Sequence, residues 1–331
     1  MSAKHSNISV FVPHMGCPHR CSFCNQVTIS GETEIPNAAT VINAVETAVK
    51  SGKCNSKTTE IAFFGGSFTA IEKSIMLELL SAAKKYVKNG TVKGIRISTR
   101  PDCIDSNILQ ILKEYGVTAI ELGAQSMDDS VLKANGRGHN AQAVVNASRL
   151  IKQSGFELGL QMMIGLIGDT PEKCFETAQK IAEIGPKTVR IYPAIVLKGT
   201  YLEKLVLNKS YTPVSVDAAV EMCKNLVLFF NKHNITVIRT GLHSIDESQY
   251  VAGPWHPAFG ELCESAIMLD AALNLLKNQP KGNYVIYTSK NNISKMIGQK
   301  KQNLQKLKLS GYNCTVKPSA NIKDILTIEK V

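Results

Sequence analysis

Between residues 8 and 192, short apolar runs alternate with longer stretches whose apolar positions recur every three or four residues. The short runs lie at 8–13, 60–64, 94–99, 119–123, 158–164 and 189–192, and have the length of strands. The longer stretches, at 39–50, 73–88, 105–115, 141–154 and 170–184, have helical spacing. Such alternation builds a parallel sheet with right-handed crossovers. A helix at 216–232 and a further strand at 235–239 continue it. Barrels and doubly wound sheets share this order. Here the residues of unusual chemistry fall just past the C-terminal ends of successive strands, where barrel sites are assembled. The remainder reads as helix 261–277, strand 284–288, helix 293–309 and strands 314–317 and 325–329. The expected division is residues 1–252 for the barrel and its extension, and 253–331 for a linker loop, a helix and a basic C-terminal domain.

The break after the first apolar run holds Cys17, Cys21 and Cys24 at C-x3-C-x2-C spacing. A loop this short can turn three thiolates onto one metal centre, and thiolate is the soft ligand that iron–sulfur clusters use. A closed [4Fe–4S] site takes four cysteines, so three leave one iron open to another ligand. A structural zinc knuckle or three reduced thiols would use the same residues.

This spacing, with Phe23 before the last cysteine, resembles the radical S-adenosylmethionine (SAM) superfamily. The resemblance implies a partial (β/α)6 TIM-type barrel in which the open iron chelates SAM. An electron from the cluster would then cleave SAM to a 5′-deoxyadenosyl radical. It implies SAM contacts at Gly65 and Gly66, where the absence of Cβ lets backbone approach the ligand. Ser67 stands where the family often has glutamate. Ser98 falls where related coproporphyrinogen dehydrogenases hold ribose with a glutamate, and Gln161 where a family aspartate binds ribose. Gly123-Ala-Gln125-Ser126 and Arg137-Gly-His139 resemble the Elongator catalytic subunit. They imply that Gln125 reaches the SAM ribose or carboxylate, that Arg137 pairs with the carboxylate, and that His139 orients their loop. Arg100 and Asp102 are expected to pair with each other. The likeness implies a short relative without an acetyltransferase domain, acting on RNA, and acetyl-coenzyme A chemistry is not expected.

The formal charge is +11, and eleven lysines from Lys277 onward against Asp324 and Glu329 account for +9 of it. Such asymmetry is a footprint of nucleic-acid contact as well as a property of solvated faces. Within this tail, Ile297-Gly298-Gln299-Lys300-Lys301 between two helical pieces resembles the clamp loop of a KH RNA-binding module, with lysine in place of the second glycine. Gly298, Lys300, Lys301, Lys306 and Lys308 are the expected RNA contacts. Nine cysteines without a framework pattern, a polar N-terminus and no long apolar run point to a reducing, cytoplasmic setting without a membrane.

The expectation is a radical SAM enzyme that modifies a nucleoside in tRNA or other structured RNA, served by an electron donor such as flavodoxin or ferredoxin. A radical SAM oxidoreductase of a small molecule or porphyrin, and a non-catalytic cluster-containing RNA-binding protein, are the alternatives. No acid or base stands out, though Tyr192, His243 and His256 fall near the expected barrel mouth. The loop bearing Trp255 and Phe259 is expected to pack the following helix onto the barrel, or else to form a lid.

Overall fold

The structure is a computed structural model that describes residues 5–12, 17, 21–25, 34–52, 54–242, 245–319 and 325–331. Seven parallel strands form its main sheet: β1 (Ser6–Val12), β2 (Thr59–Gly65), β3 (Gly94–Thr99), β4 (Val117–Gln125), β5 (Glu157–Ile164), β6 (Thr188–Pro193) and, after the short β7 (Val196–Leu197), β8 (Thr236–Thr240). Their spatial order is β1-β2-β3-β4-β5-β6-β8, curled into a half-barrel. The strand expected at 235–239 is thus a seventh stave, added beside β6 in parallel.

Successive strand residues point to opposite faces. One set, including Val10, Ile61, Phe63, Ile97, Ile120, Leu160 and Ile191, joins the core beneath the helices. Those helices are α1 (Ala38–Lys50), α2 (Lys73–Lys88), α3 (Ser106–Glu114), α4 (Asp129–Ala134), α5 (Ala141–Gln153), α6 (Pro171–Ile184), α7 (Tyr201–Leu207) and α8 (Val216–Lys232). Short polar side chains start several of them: Asp105, Asn140, Thr170 and Ser215 each accept from a backbone N–H of the first turn.

The other set faces the lumen and includes a ladder of charged side chains. Arg96, 2% exposed, donates to Glu60 at 2.8 Å, Glu157 at 2.8 Å and Glu121 at 3.3 Å. Arg190 takes Glu121 from the other side at 2.6 and 3.0 Å. Burial alone would raise the Glu60 carboxyl. His5, Arg96 and Thr118 outweigh it and bring the value down to about 2. This ladder fills the interior with paired charge, because an unpaired one is too costly to bury.

Past the half-barrel, β9 (Tyr250–Ala252) pairs with β7 and leads to helix α9 (Phe259–Leu276). Phe259 and Cys263 on α9 join the main core. Met268, Leu269, Ala272 and Leu276, further along the helix, join a second core. That core lies under a small sheet of order β11-β10-β12: β10 (Gly282–Thr288), β11 (Tyr312–Pro318) and β12 (Leu326–Lys330). The helical stretch expected at 293–309 is split into α10 (Ile293–Ile297) and α11 (Gln302–Leu309) by a turn at Gly298. Trp255 packs with Tyr250 against Ile195, Leu197 and Ile245, and Phe259 is buried, so both aromatics serve packing. Among the described residues, no helix is long and apolar enough to cross a membrane.

Candidate cofactor and substrate site

Two adjoining cavities open at the C-terminal ends of the strands. A smaller one, about 110 Å³, is lined by Cys17, Cys21 and Cys24 together with Gly65, Gly66, Ser98, Gln125, Arg137 and Gln161. All nine residues expected to hold cluster and SAM are therefore on one wall system. The larger, about 440 Å³, shares Cys24, Gly65, Ser98, Gln125 and Gln161, and extends to Tyr192 and Arg239. Among the described residues, no three cysteine, histidine or acidic side chains converge on a single-ion position. Cysteines that each hold a different corner of a cubane need not do so.

The cysteine loop is fastened from several sides. Ser22 bonds Asn135 twice, its N–H to the Asn135 carbonyl at 3.0 Å and its hydroxyl to Asn135 Oδ1 at 2.7 Å. Asn135 is fully buried and donates in turn to the Val131 and Ile167 carbonyls. The Ser67 backbone N–H donates to the Cys17 thiol, and Arg137 Nη1 to Cys21 Sγ at 3.2 Å. Burial, with the neighbouring Cys21 and Cys17, pushes the Cys24 thiol up to about 12. Burial raises Cys17 as well.

Backbone strain is concentrated in the same place. Gln125 has φ 66°, a left-handed conformation that costs a non-glycine residue roughly 1–2 kcal/mol. Its register with β5 slips between Gly123 and Gln125. A Cβ on Gly123 would stand 2.9 Å from Gln125 Nε2, so glycine is what lets this amide lie flat against β4. Gln125 Oε1 is buried without a partner among the described residues. Gly65 has φ 111°, and a Cβ there would meet the Val12 carbonyl at 2.9 Å. The Gly66 N–H donates to that same carbonyl at 2.7 Å. Gln161 Nε2 donates to Ser98 Oγ at 3.3 Å and to Glu121 Oε2 at 3.0 Å, which joins two expected SAM residues to the charged ladder below.

The two arginines divide their donors differently. Arg137 uses Nε and Nη2 on His139 Nε2, and Nη2 also on the Gly123 carbonyl at 2.7 Å. Arg100 does pair with Asp102, at 2.7 and 2.9 Å, but its Nη1 is buried without a partner among the described residues. Thr99 bonds Ser67 and Thr69, so Ser67 fastens the loop after β3. Asn135 braces the cysteine loop and Arg100 lines the smaller cavity; neither was expected there, Arg100 being expected only to pair with Asp102. The place of Asn135 just before Arg137-Gly-His139 was the available signal.

His139 is 8% exposed; burial, reinforced by Arg137, lowers its pKa from 6.5 to about 4. It is neutral in the folded chain, as its acceptor role toward Arg137 requires. The unfolded chain binds the extra proton between these values. The stability held by neutral His139 is therefore complete above pH 6.5 and lost as pH falls toward 4. Urea unfolding of the wild type should weaken across that window by up to about 3 kcal/mol more than His139→Gln, and parallel pH profiles would contradict this role.

Tyr192 lines the larger cavity, whereas His256 Nδ1 accepts from the Ala258 N–H and borders neither cavity. His243 lies outside the described residues. Gly298, Lys300 and Lys301 form the turn of the small unit, with φ of 75°, 49° and 62°. Lys300, Lys301, Lys306 and Lys308 are all exposed. Asn303, buried, braces the turn by donating to Ser265 at 3.0 Å and to the Lys295 carbonyl at 3.2 Å.

Known proteins resemble this arrangement. The uncharacterized protein MJ0486 of Methanocaldococcus jannaschii is 26% identical over 257 residues, 76% of each chain. The tRNA uridine(34) acetyltransferase of Dehalococcoides mccartyi is 24% identical over 239 residues, covering 62% of this chain and 52% of that protein. This chain thus spans about half the length of that relative. The solved structure of Elp3 from the archaeon Methanocaldococcus infernus superposes with a TM-score of 0.66 over 82% of this chain and 64% of its own, at 21% identity, which is a likeness of fold. The radical SAM C-terminal domain profile matches residues 186–268. With residues 11–181, more than half of its 331 positions, matched by the superfamily profile, the chain belongs to the radical SAM superfamily, enzymes that bind a [4Fe–4S] cluster and SAM.

Proposed function

We propose that the chain carries a [4Fe–4S] cluster on Cys17, Cys21 and Cys24, binds SAM against the adjoining wall, and modifies a nucleoside of structured RNA, tRNA in particular. The observation that carries the cofactor reading is the buried Gln125 Oε1, without a partner among the described residues and held in a left-handed backbone beside the three cysteines. A strained residue with an orphaned acceptor persists where a ligand completes it. When bound, the cluster supplies the electron that cleaves SAM to a radical able to remove a hydrogen atom from the substrate.

The chain's own residues hold and shield. Gly65 and Gly66 would present backbone to the SAM amino group without a Cβ in the way. Gln125, Ser98 and Gln161 would take its ribose and neighbouring oxygens. Arg137 would offer the carboxylate its charge, and Nη1 of Arg100, without a partner among the described residues, would be a second donor at the same cavity. A guanidinium suits a carboxylate because its planar fork matches both oxygens. The apolar walls of the larger cavity, among them Phe23, Met163 and Ile195, would keep water from the reacting atoms. Nine free cysteines accord with a reducing, cytoplasmic setting, where flavodoxin or ferredoxin would supply the electron.

The RNA reading draws on relatives whose names state an action on tRNA, and on the exposed lysines of the small unit. Lys300 and Lys301 in consecutive left-handed conformations form a turn whose exposed cations would grip phosphates. Nucleoside mass spectrometry of tRNA from cells with and without the gene should reveal one nucleoside that depends on it; an unchanged profile would turn attention to a small-molecule substrate. In vitro, tRNA affinity should fall steeply with salt. Replacing Lys300 and Lys301 with alanine should flatten the log–log slope by about 1.4 to 1.8, the loss of two phosphate contacts. An unaltered slope would remove the turn from the interface.

A further inference from the structure

One cation of the larger cavity has no part in the cofactor reading. Arg190 and Arg239 sit opposite each other in the register of β6 and β8, and both line this cavity. Arg190 is committed to Glu121 through two bonds. Arg239 donates its Nε to the Gly241 carbonyl at 3.3 Å and, among the described residues, has no carboxylate partner. It is half-buried, and its charge acts on the neighbouring Tyr192. A guanidinium in such a place, with no carboxylate among the described residues to answer it, is fitted to receive an anion from outside.

The walls say what else that ligand must be. Phe11, Phe23, Phe64 and Tyr192 border the same space, and Leu242 closes it beside Arg239. Aromatic walls favour a flat ring, and a ring next to a fixed cation favours an anionic substituent on it. Gly65, Ser98, Gln125 and Gln161, shared with the cysteine cavity, mark the part of the space nearer the cofactors. Arg239, Tyr192 and Leu242 belong to the larger cavity alone.

We infer that Arg239 binds a phosphate of the substrate nucleotide while the aromatic walls receive its base. This rests on the nucleoside reading above and deepens it: the enzyme would recognise a nucleotide, with its phosphate, rather than a bare nucleoside.

Calorimetric titration of the anaerobic holoenzyme tests it, with uridine 5′-monophosphate, uridine and inorganic phosphate as probes. The monophosphate should bind about 10-fold to 100-fold tighter than uridine, the increment of a hydrogen bond to a charged group. Arg239→Gln should erase that difference and leave uridine binding as it was, while Arg239→Lys should retain part of it. Circular dichroism checks that each variant is folded, and the wild-type comparison stands even if neither is. Equal binding of monophosphate and uridine overturns the role of Arg239 and leaves the nucleoside reading intact. Binding of phosphate alone as tightly as the monophosphate assigns a simple anion site and also overturns it. Absence of binding by all three overturns it and counts against the nucleoside reading as well.

Discussion

Alanine at Cys24 should leave the anaerobically reconstituted protein without the brown absorbance of its cluster and without 5′-deoxyadenosine from SAM and dithionite. Three thiolates are the fewest that hold a four-iron cube with one corner open, so none is spare. Cys24 also borders both cavities, which makes it the cysteine nearest to where cofactor and substrate spaces meet. Its replacement removes a thiol that Cys54, bonded to the Thr91 carbonyl, and Cys223 and Cys263, held in the main core, are not placed to replace. Cys54→Ala should retain full iron content and SAM cleavage. Iron and sulfide analysis beside product chromatography reads both outcomes. A Cys24→Ala protein that still cleaves SAM would displace the cluster from this loop.

Arg96→Met should cost about 3–5 kcal/mol of stability, the loss that follows when one partner of a buried ion pair is removed. Three carboxylates, Glu60, Glu121 and Glu157, point at this one guanidinium. Glu121 would keep Arg190 and Glu60 would keep His5. Neither neighbour lies where Arg96 did, so Glu60 would no longer hold its value near 2 and would take up a proton more easily. The gap between the urea midpoints of the variant and the wild type should therefore narrow as pH is lowered through the Glu60 window. A midpoint within about 1 kcal/mol of the wild type at neutral pH, the range of an exposed ion pair, would mean that water reaches the ladder.

The order of strands and helices was legible because each element carried its own period: apolar runs beneath the helices, spaced apolar residues on the helices themselves. The cysteine loop was legible because soft ligands at fixed spacing have few other uses. The lumen was harder. Glu60, Arg96, Glu121 and Arg190 sit on separate strands, from residue 60 to residue 190, and only the pairing and curl of those strands bring them together. The Arg100–Asp102 pair was expected from spacing two residues apart, but that Arg100 Nη1 has no partner among the described residues depends on where β3 delivers it. Short pieces such as α4, α7 and β7 escaped notice because one or two turns offer too little periodicity. The turn at Gly298 was read from glycine and lysine together. The brace supplied by Asn303 could not be, since its partner Ser265 stands on another helix.

Helix α9 belongs by one end to the large core and by the other to the small one. A cut or deletion just beyond Leu276 would strand Met268, Leu269 and Ala272 as an oily stripe in open water. The basic unit is therefore not separable from the half-barrel by a simple cut, because one helix completes both cores.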